Sequence, residues 1–152
     1  MAGALSVRLA EAADRSAFEI LWAGWQAHMG GNVPPEVTAR SWAKILTVGS
    51  GLQALLASEG EEPVGFGIIG RMPFAWTGED IFYLQDLFVV RHARGRGVGA
   101  ALLKAIYEHA DAVGGPQVFW MVDEDDTELQ GFYDRHAIRT SYHRYMRLPW
   151  PW

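Results

Sequence analysis

A strand-like run, a glycine-rich turn and an amphipathic helix follow one another without a break in the middle of this chain. Residues 81–90, Ile-Phe-Tyr-Leu-Gln-Asp-Leu-Phe-Val-Val, are apolar, aromatic and β-branched, the composition of a buried strand. Arg91-His92-Ala93-Arg94 leads from them to Gly95-Arg96-Gly97-Val98-Gly99. A helix then starts near Val98. Ala101, Leu102, Ala105 and Ile106 share one side of it, and Gly114-Gly115-Pro116 stops it. Residues 117–122 read as another strand. Two strands of one sheet joined through a helix lie parallel, in a right-handed crossover. This unit therefore commits the chain to a sheet with a helix packed on its face.

The flanking segments fit around that unit. Residues 5–10 read as a first strand. Asp14 is placed to cap a helix on which Phe18, Leu21, Trp22 and Trp25 recur at helical spacing, ended by Gly30-Gly31-Asn32. A second helix is expected at residues 36–47, after Pro34-Pro35. Strands are expected at 52–58 and 63–71, with Glu59-Gly60-Glu61-Glu62 as the hairpin turn. Asp125 or Asp126 can cap a late helix through Leu129, Phe132 and Tyr133, with Glu128 as the capping-box partner of Asp125. Residues 141–148 read as a closing strand. The order β-α-α-β-β-β-α-β-α-β predicts an α+β fold, a mixed and mostly antiparallel sheet flanked by helices. With 152 residues and no linker, one domain over residues 1–152 is expected.

Composition excludes several chemistries. There is no cysteine, so disulfides, thiolate metal sites and a cysteine nucleophile are ruled out. The five histidines show no metal-ligand spacing, and no metal is expected. The formal net charge of -5 argues against nucleic acid, whose affinity rests on phosphate attraction. No stretch reaches the roughly 20 apolar residues that span a bilayer, and the first residues do not read as a signal peptide. A chain without cysteine fits a reducing cytosol, so a cytoplasmic location and no membrane partner are expected.

The turn carries the chemistry. The first N–H groups of a helix lack internal partners and, with the positive end of the helix dipole, attract anions. Glycines let the backbone adopt positive φ and approach a bulky pyrophosphate. Arg94 and Arg96 add positive charge. A dinucleotide-binding fingerprint also matches in form, through Gly95, Gly97 and Ala100, with Asp123 near the expected acidic position. That turn usually follows its strand directly, whereas four residues intervene here. A Walker A loop is absent, since no Gly-Lys-Ser/Thr occurs. A helix start with no ligand is the plainer alternative.

The segment resembles motif A of the Gcn5-related N-acetyltransferase (GNAT) superfamily, Gln/Arg-x-x-Gly-x-Gly/Ala, here Arg94, Gly97 and Gly99. The run Tyr83-Leu84-Gln85-Asp86-Leu87-Phe88-Val89 resembles the strand before that motif in polyamine-type acetyltransferases. The resemblance implies acetyl-CoA as acetyl donor and a small-molecule amine as acceptor. It implies that backbone groups of Leu87, Phe88 and Val89 hold the pantetheine arm, and that a strand amide near Val89 stabilises the thioester oxygen. The amides of Gly95, Arg96, Gly97, Val98, Gly99 and Ala100 would hold the pyrophosphate. Tyr133 aligns with the tyrosine that protonates the departing thiolate; a core aromatic on an amphipathic helix is its plainer role. Asp126 stands where the family often has Asn at a cofactor contact, and His136-Ala137-Ile138 replaces its common Gly-Phe turn. Gln85 stands where polyamine-type enzymes often have Glu.

An alkylamine is mostly protonated at neutral pH, so a group must take a proton before attack. Asp86, or a water ordered by Gln85, is the candidate, with Glu79 and Asp80 more remote. Neighbouring strand residues point to opposite faces. Only one of Gln85 and Asp86 is therefore expected to face the acetyl group, and Gln85 is expected to share its side with Leu87 and Val89. Trp22, Trp25, His28 and Trp76, with Gln85, are candidates for the acceptor pocket, since aromatic faces suit cationic amines. Core packing is the plainer role for each. Leu148-Pro149-Trp150-Pro151-Trp152 is strongly apolar, and a homodimer that buries it is expected. A non-catalytic acyl-CoA-binding module and a dinucleotide-dependent oxidoreductase are the competing functions.

Overall fold

The computed structural model describes residues 3–148. They divide between two compact units, Met1–Trp120 and Met121–Trp152. The first unit holds β1 (Leu5–Leu9), α1 (Arg15–Met29), α2 (Pro35–Leu46), β2 (Leu52–Glu59), β3 (Glu62–Pro73), β4 (Asp80–Val89), α3 (Val98–Ala112) and β5 (Val118–Phe119). The strands form one sheet in the order β1-β2-β3-β4-β5. The first three pairings are antiparallel. β4 and β5 are parallel, as the crossover through α3 requires. The fold is α+β, as expected.

The sheet has two distinct faces. Phe18 and Leu21 of α1 and Trp42 and Ile45 of α2 pack on Ala54, Leu56, Phe66, Ile68 and Phe88. Each of those rings and branched chains is at most 9% exposed, so this is the main apolar core. α3 covers the other face with Val98, Leu102, Leu103 and Ile106. It approaches closely because β3 presents glycines there. A Cβ built on Gly65 would lie 2.7 Å from the Phe88 carbonyl oxygen and 3.3 Å from Leu102 Cδ1. One on Gly67 would lie 3.1 Å from Ile106 Cδ1.

Three local expectations need correction. Asp14 does not cap α1. It ends a 3₁₀ turn, Ala12–Asp14, and its carboxylate accepts from the Glu11 amide and from both Arg8 Nη groups at 2.7 and 2.8 Å. That pairing holds its pKa below the usual carboxylate value, the Arg8 hydrogen bonds being the main cause. β5 is two residues long rather than six: its ladder with β4 stops at Tyr83, just before the β3–β4 register shifts. Residues 141–148 form no strand among the described residues. They have no ladder partner, and Tyr142 and Tyr145 are 92% and 94% exposed. Residues 149–152, on which the homodimer expectation rests, lie outside the described residues.

In the second unit α4 (Thr127–Asp134) begins at Asp126, whose Oδ1 accepts from the Leu129 amide at 2.9 Å. This is the cap proposed for Asp126. Asp125 instead donates its amide to Asp123 Oδ1, so the Asp125–Glu128 box does not form. Gln130 Nε2 ties the approach by donating to the carbonyls of Asp123 and Glu124.

The close approach of α3 to β3 has a measurable consequence. Gly65→Ala pushes a methyl into the Phe88 carbonyl and is expected to cost about 1–3 kcal/mol. The urea midpoint should fall at an unchanged m-value. A midpoint equal to the parent's would contradict the contact.

Candidate active site

β4 carries one residue more than the segment of β3 it pairs with. Gly67 faces Leu87 and Ile68 faces Asp86, but Ile69 faces Leu84. Gln85 is the extra residue, a β-bulge. A bulge leaves one residue out of the ladder and re-aims the side chains around it. On the N-terminal side Phe82 points to the α3 face, where its ring meets His109 edge-on. Beyond the bulge Phe88 points to the α1 face, against Trp25 and Phe66. Leu87 lies with Gly67 on the α3 face.

This overturns the alternation expected of Gln85 and Asp86. The Gln85 amide lies over Gly70, with Nε2 2.7 Å from where a Gly70 Cβ would stand. Gly70 is two residues on from Ile68, which faces α1 and α2. Asp86 turns to the same face, where its Oδ1 accepts from Trp25 Nε1 at 2.8 Å. Gln85 therefore does not share a side with Leu87, and it shares one with Asp86.

Asp86 is set up to hold a proton. Burial beneath α1 pushes its pKa above the usual carboxylate value, and the Trp25 indole offsets this in part. Its Oδ2 has no hydrogen-bond partner among the described residues. No unpartnered side-chain oxygen is fully buried among the described residues, so Oδ2 is reachable from outside.

Past Tyr83 no strand pairs with the outer edge of β4 among the described residues. Alternate residues of 84–89 thus turn backbone groups to an unpaired edge, where the Val89 carbonyl is taken by Arg94. That edge runs through the 3₁₀ turn Arg91–Ala93 into the glycine turn. Gly95 and Gly97 have φ of 74° and 84°, a left-handed geometry that glycine adopts without strain. Gly97 opens α3 with no side-chain cap, and the first helical bond runs from the Ala101 amide to the Gly97 carbonyl. The amides of Val98, Gly99 and Ala100 consequently have no acceptor among the described residues. Cβ atoms on Gly95 and Gly97 would meet nothing within 4 Å, so the turn is open on its outer side.

The two arginines of the turn differ. Arg94 Nε donates to the Val89 carbonyl at 2.9 Å, and its guanidinium lies 5.9 Å from the Phe88 ring centre. Arg94, Arg91, His28, Gly24 and Phe88 line a hollow of about 390 Å³ beside the turn. Arg96 pairs with Glu59 at 2.8 Å, and the Glu59 side chain is only 10% exposed. Its charge is thereby committed to anchoring the turn on β2. His92 pairs with Glu62 on the surface.

The aromatic candidates separate. Trp25 and His28 stack at 5.8 Å beside Phe88 and Asp86. Trp22 packs on Phe18 and donates to Thr38 Oγ1, so it joins α1 to α2 in the core. Trp76 is 91% exposed in the β3–β4 loop. A second hollow, of about 280 Å³, opens at Gln85, lined also by Gly70, Met72, Leu52, the Ser50-Gly51 turn and Lys44. No sequence signal marked Lys44; only folding brings the end of α2 to the bulge. In the second unit Tyr133 lies beside Phe132, ring centres 5.2 Å apart, and Phe132 meets His136. Among the described residues no group of acidic or histidine side chains could hold a metal ion, and no helix is long and apolar enough to cross a membrane.

The model of the acetyltransferase (GNAT) family matches residues 15–137. The D-amino-acid N-acetyltransferase HPA3 of Saccharomyces cerevisiae is 31% identical over 143 residues, 93% of this chain and 89% of that protein. A thialysine N-epsilon-acetyltransferase of Mus musculus is 36% identical over 53 residues, 35% of this chain and 31% of that protein. Among solved structures, an aminoglycoside acetyltransferase, HMB0005, from an uncultured soil metagenomic sample superposes with a TM-score of 0.81 at 22% identity, covering 96% and 98% of the two chains. A ribosomal-protein-alanine N-acetyltransferase of Brucella melitensis superposes at 0.77 with 20% identity, covering 94% and 97%. These two likenesses concern the fold.

The Asp86 environment predicts a pH-dependent stability. Its folded pKa is raised, so the folded chain holds this proton more tightly than the unfolded one. The cost of ionising it is absent below the ordinary carboxylate pKa and enters as pH rises through the folded value. Asp86→Asn keeps an oxygen for the Trp25 indole and removes the charge. It should raise the thermal midpoint at neutral pH, with the gain vanishing toward about pH 4. A gain independent of pH, or a loss at neutral pH, would contradict the burial.

Proposed function

Because the chain belongs to the acetyltransferase (GNAT) family, we propose that it transfers the acetyl group of acetyl-CoA to the primary amine of a small molecule. The family match runs through both compact units, which supports reading residues 1–152 as one acetyltransferase domain. One observation carries the proposal. The unpaired edge of β4 leads, through the 3₁₀ turn Arg91–Ala93, to a glycine turn whose first helical amides have no acceptor among the described residues. An extended arm ending in a pyrophosphate needs those two features end to end.

The residues present fit that group. On the outer edge of β4 the Leu87 backbone groups and the Val89 amide are offered to the pantetheine arm, while Phe88 turns its carbonyl toward β3 and the Val89 carbonyl holds Arg94. Amides of residues 95–100 face the phosphates, and Arg91 and Arg94 supply positive charge beside them. Arg96 acts indirectly, by fixing the turn to Glu59. Bound acetyl-CoA would supply a thioester carbonyl and a thiolate leaving group. Asp86 takes the proton of the attacking amine through its free Oδ2, the raised pKa bringing it nearer to neutral and improving it as a base. A strand amide near Val89 stabilises the developing oxyanion. Tyr133, on its resemblance to the family tyrosine, returns a proton to the thiolate. The role of Asp126 is to cap α4.

Two relatives act, by name, on amino acids: a D-amino acid in one case and thialysine in the other. An amino acid is therefore the first acceptor class to test. The likeness of residues 83–89 to polyamine-type enzymes makes diamines and polyamines the second.

A thiol-release assay with acetyl-CoA and a panel of D- and L-amino acids, polyamines, amino sugars and peptides tests the proposal. Release dependent on an amine is expected. Asp86→Asn should lower kcat/KM by about 10²- to 10⁴-fold and flatten its acid limb. Tyr133→Phe should lower kcat while leaving acetyl-CoA affinity unchanged. Binding of acetyl-CoA with no amine-dependent release would favour the non-catalytic module. Binding of a nicotinamide cofactor instead would favour the oxidoreductase.

A further inference from the structure

We infer that the hollow beside Gln85 takes the carboxylate of an amino-acid acceptor, and that Lys44 is the residue that selects it. The inference rests on the acetyltransferase reading and names the acceptor end of that same site. Its floor is Gly70, which leaves room for the Gln85 amide; Leu52 and Met72 form apolar walls. At about 280 Å³ the space sits at the lower limit of small-molecule sites, about 300–1,000 Å³. That suits a molecule of amino-acid size and is small for an oligosaccharide or a folded peptide.

Charge decides the ligand class. Arg8, Arg15, Arg71, Arg96, Lys104 and Arg139 each pair with a carboxylate. Lys44 has no acidic partner among the described residues, and its ammonium belongs to a residue lining the hollow. Arg71 also lines this space, but its guanidinium is turned to the other face of the sheet, over Phe82 and paired with Asp80. Lys44 is thus the cation left to meet an anion there. A diamine would bring a second positive charge against it, which is unfavourable. A lysine near a helix C-terminus is also favoured by the dipole alone. What distinguishes Lys44 is its place in one hollow with Gln85, on the sheet face that also holds Asp86. The proton acceptor and the carboxylate holder then flank the acceptor from the same face.

The best amino-acid acceptor from the amine panel is compared with the amine left by removing its carboxylate, for example lysine with 1,5-diaminopentane. The wild-type protein should show a KM lower by about tenfold or more for the amino acid, the worth of one charged hydrogen bond. Lys44→Met should erase that difference through KM, leaving kcat for the decarboxylated amine unchanged. Lys44→Arg should restore most of it. The Lys44 side chain is exposed and its substitution spares the backbone carbonyl that accepts from Ser50 Oγ, so folding is retained and checked by the thermal midpoint. An unchanged preference in Lys44→Met would overturn the inference. So would a panel in which only amines lacking a carboxylate react, although acetyl transfer itself would stand. Failure of every amine would remove the acetyltransferase reading and this inference together.

Discussion

β4 and β3 disagree by one residue at Gln85, and the arrangement of the site follows from that mismatch. Without it, Leu84, Asp86 and Phe88 would all point to one face of the sheet. With it, Leu84 stays in the α3 layer while Asp86 and Phe88 turn beneath α1. Phe88 completes the aromatic core with Phe18 and Phe66, and Asp86 receives the Trp25 indole. The ladder to β5 stops at Tyr83, two residues before the bulge, and beyond it the edge of β4 is unpaired among the described residues. One inserted residue therefore turns Asp86, the proposed proton acceptor, beneath α1 beside the strand edge proposed for the ligand. A carboxylate held beneath a helix costs stability, and sites that need a poised base commonly accept that cost.

The turn is held from outside itself. Gly95 and Gly97 allow its shape, and a Cβ on either would meet nothing within 4 Å. Its position comes from Arg94 on the Val89 carbonyl, from Arg96 on Glu59 and from the seating of α3 over Gly65 and Gly67. Tight packing at the base and open backbone at the rim suit the proposed pyrophosphate site, preorganised without being filled by side chains. The two arginines of the motif have different tasks because Glu59, at the end of β2, reaches only one of them.

Much of this was legible in the sequence. The glycine turn, the crossover through α3 and its parallel strands follow from local pattern, and all are present. The positions of Asp86 and Gln85 were not legible, because strand alternation assumes an uninterrupted ladder. The signal for the interruption is spread over β3: Gly65, Gly67 and Gly70 are the places where α3 or Gln85 needs room. Trp22, Trp25, Trp76 and His28 look alike as aromatic candidates, yet only Trp25 and His28 gather beside Phe88, since α1 turns Trp22 into the core. Lys44 carries no motif, and its importance arises from tertiary neighbours alone. The expected closing strand at residues 141–148 failed for a related reason: an alternating pattern alone does not make a strand, and no ladder forms there among the described residues.

The central claim is that the β4 edge and the glycine turn together form one acetyl-CoA site. Amide hydrogen exchange with and without acetyl-CoA tests it most directly. The account predicts slowed exchange in two stretches, residues 87–89 and 95–100, with Val118 and Phe119 little changed. Protection of the turn alone, or equal protection by a nicotinamide dinucleotide, would contradict it.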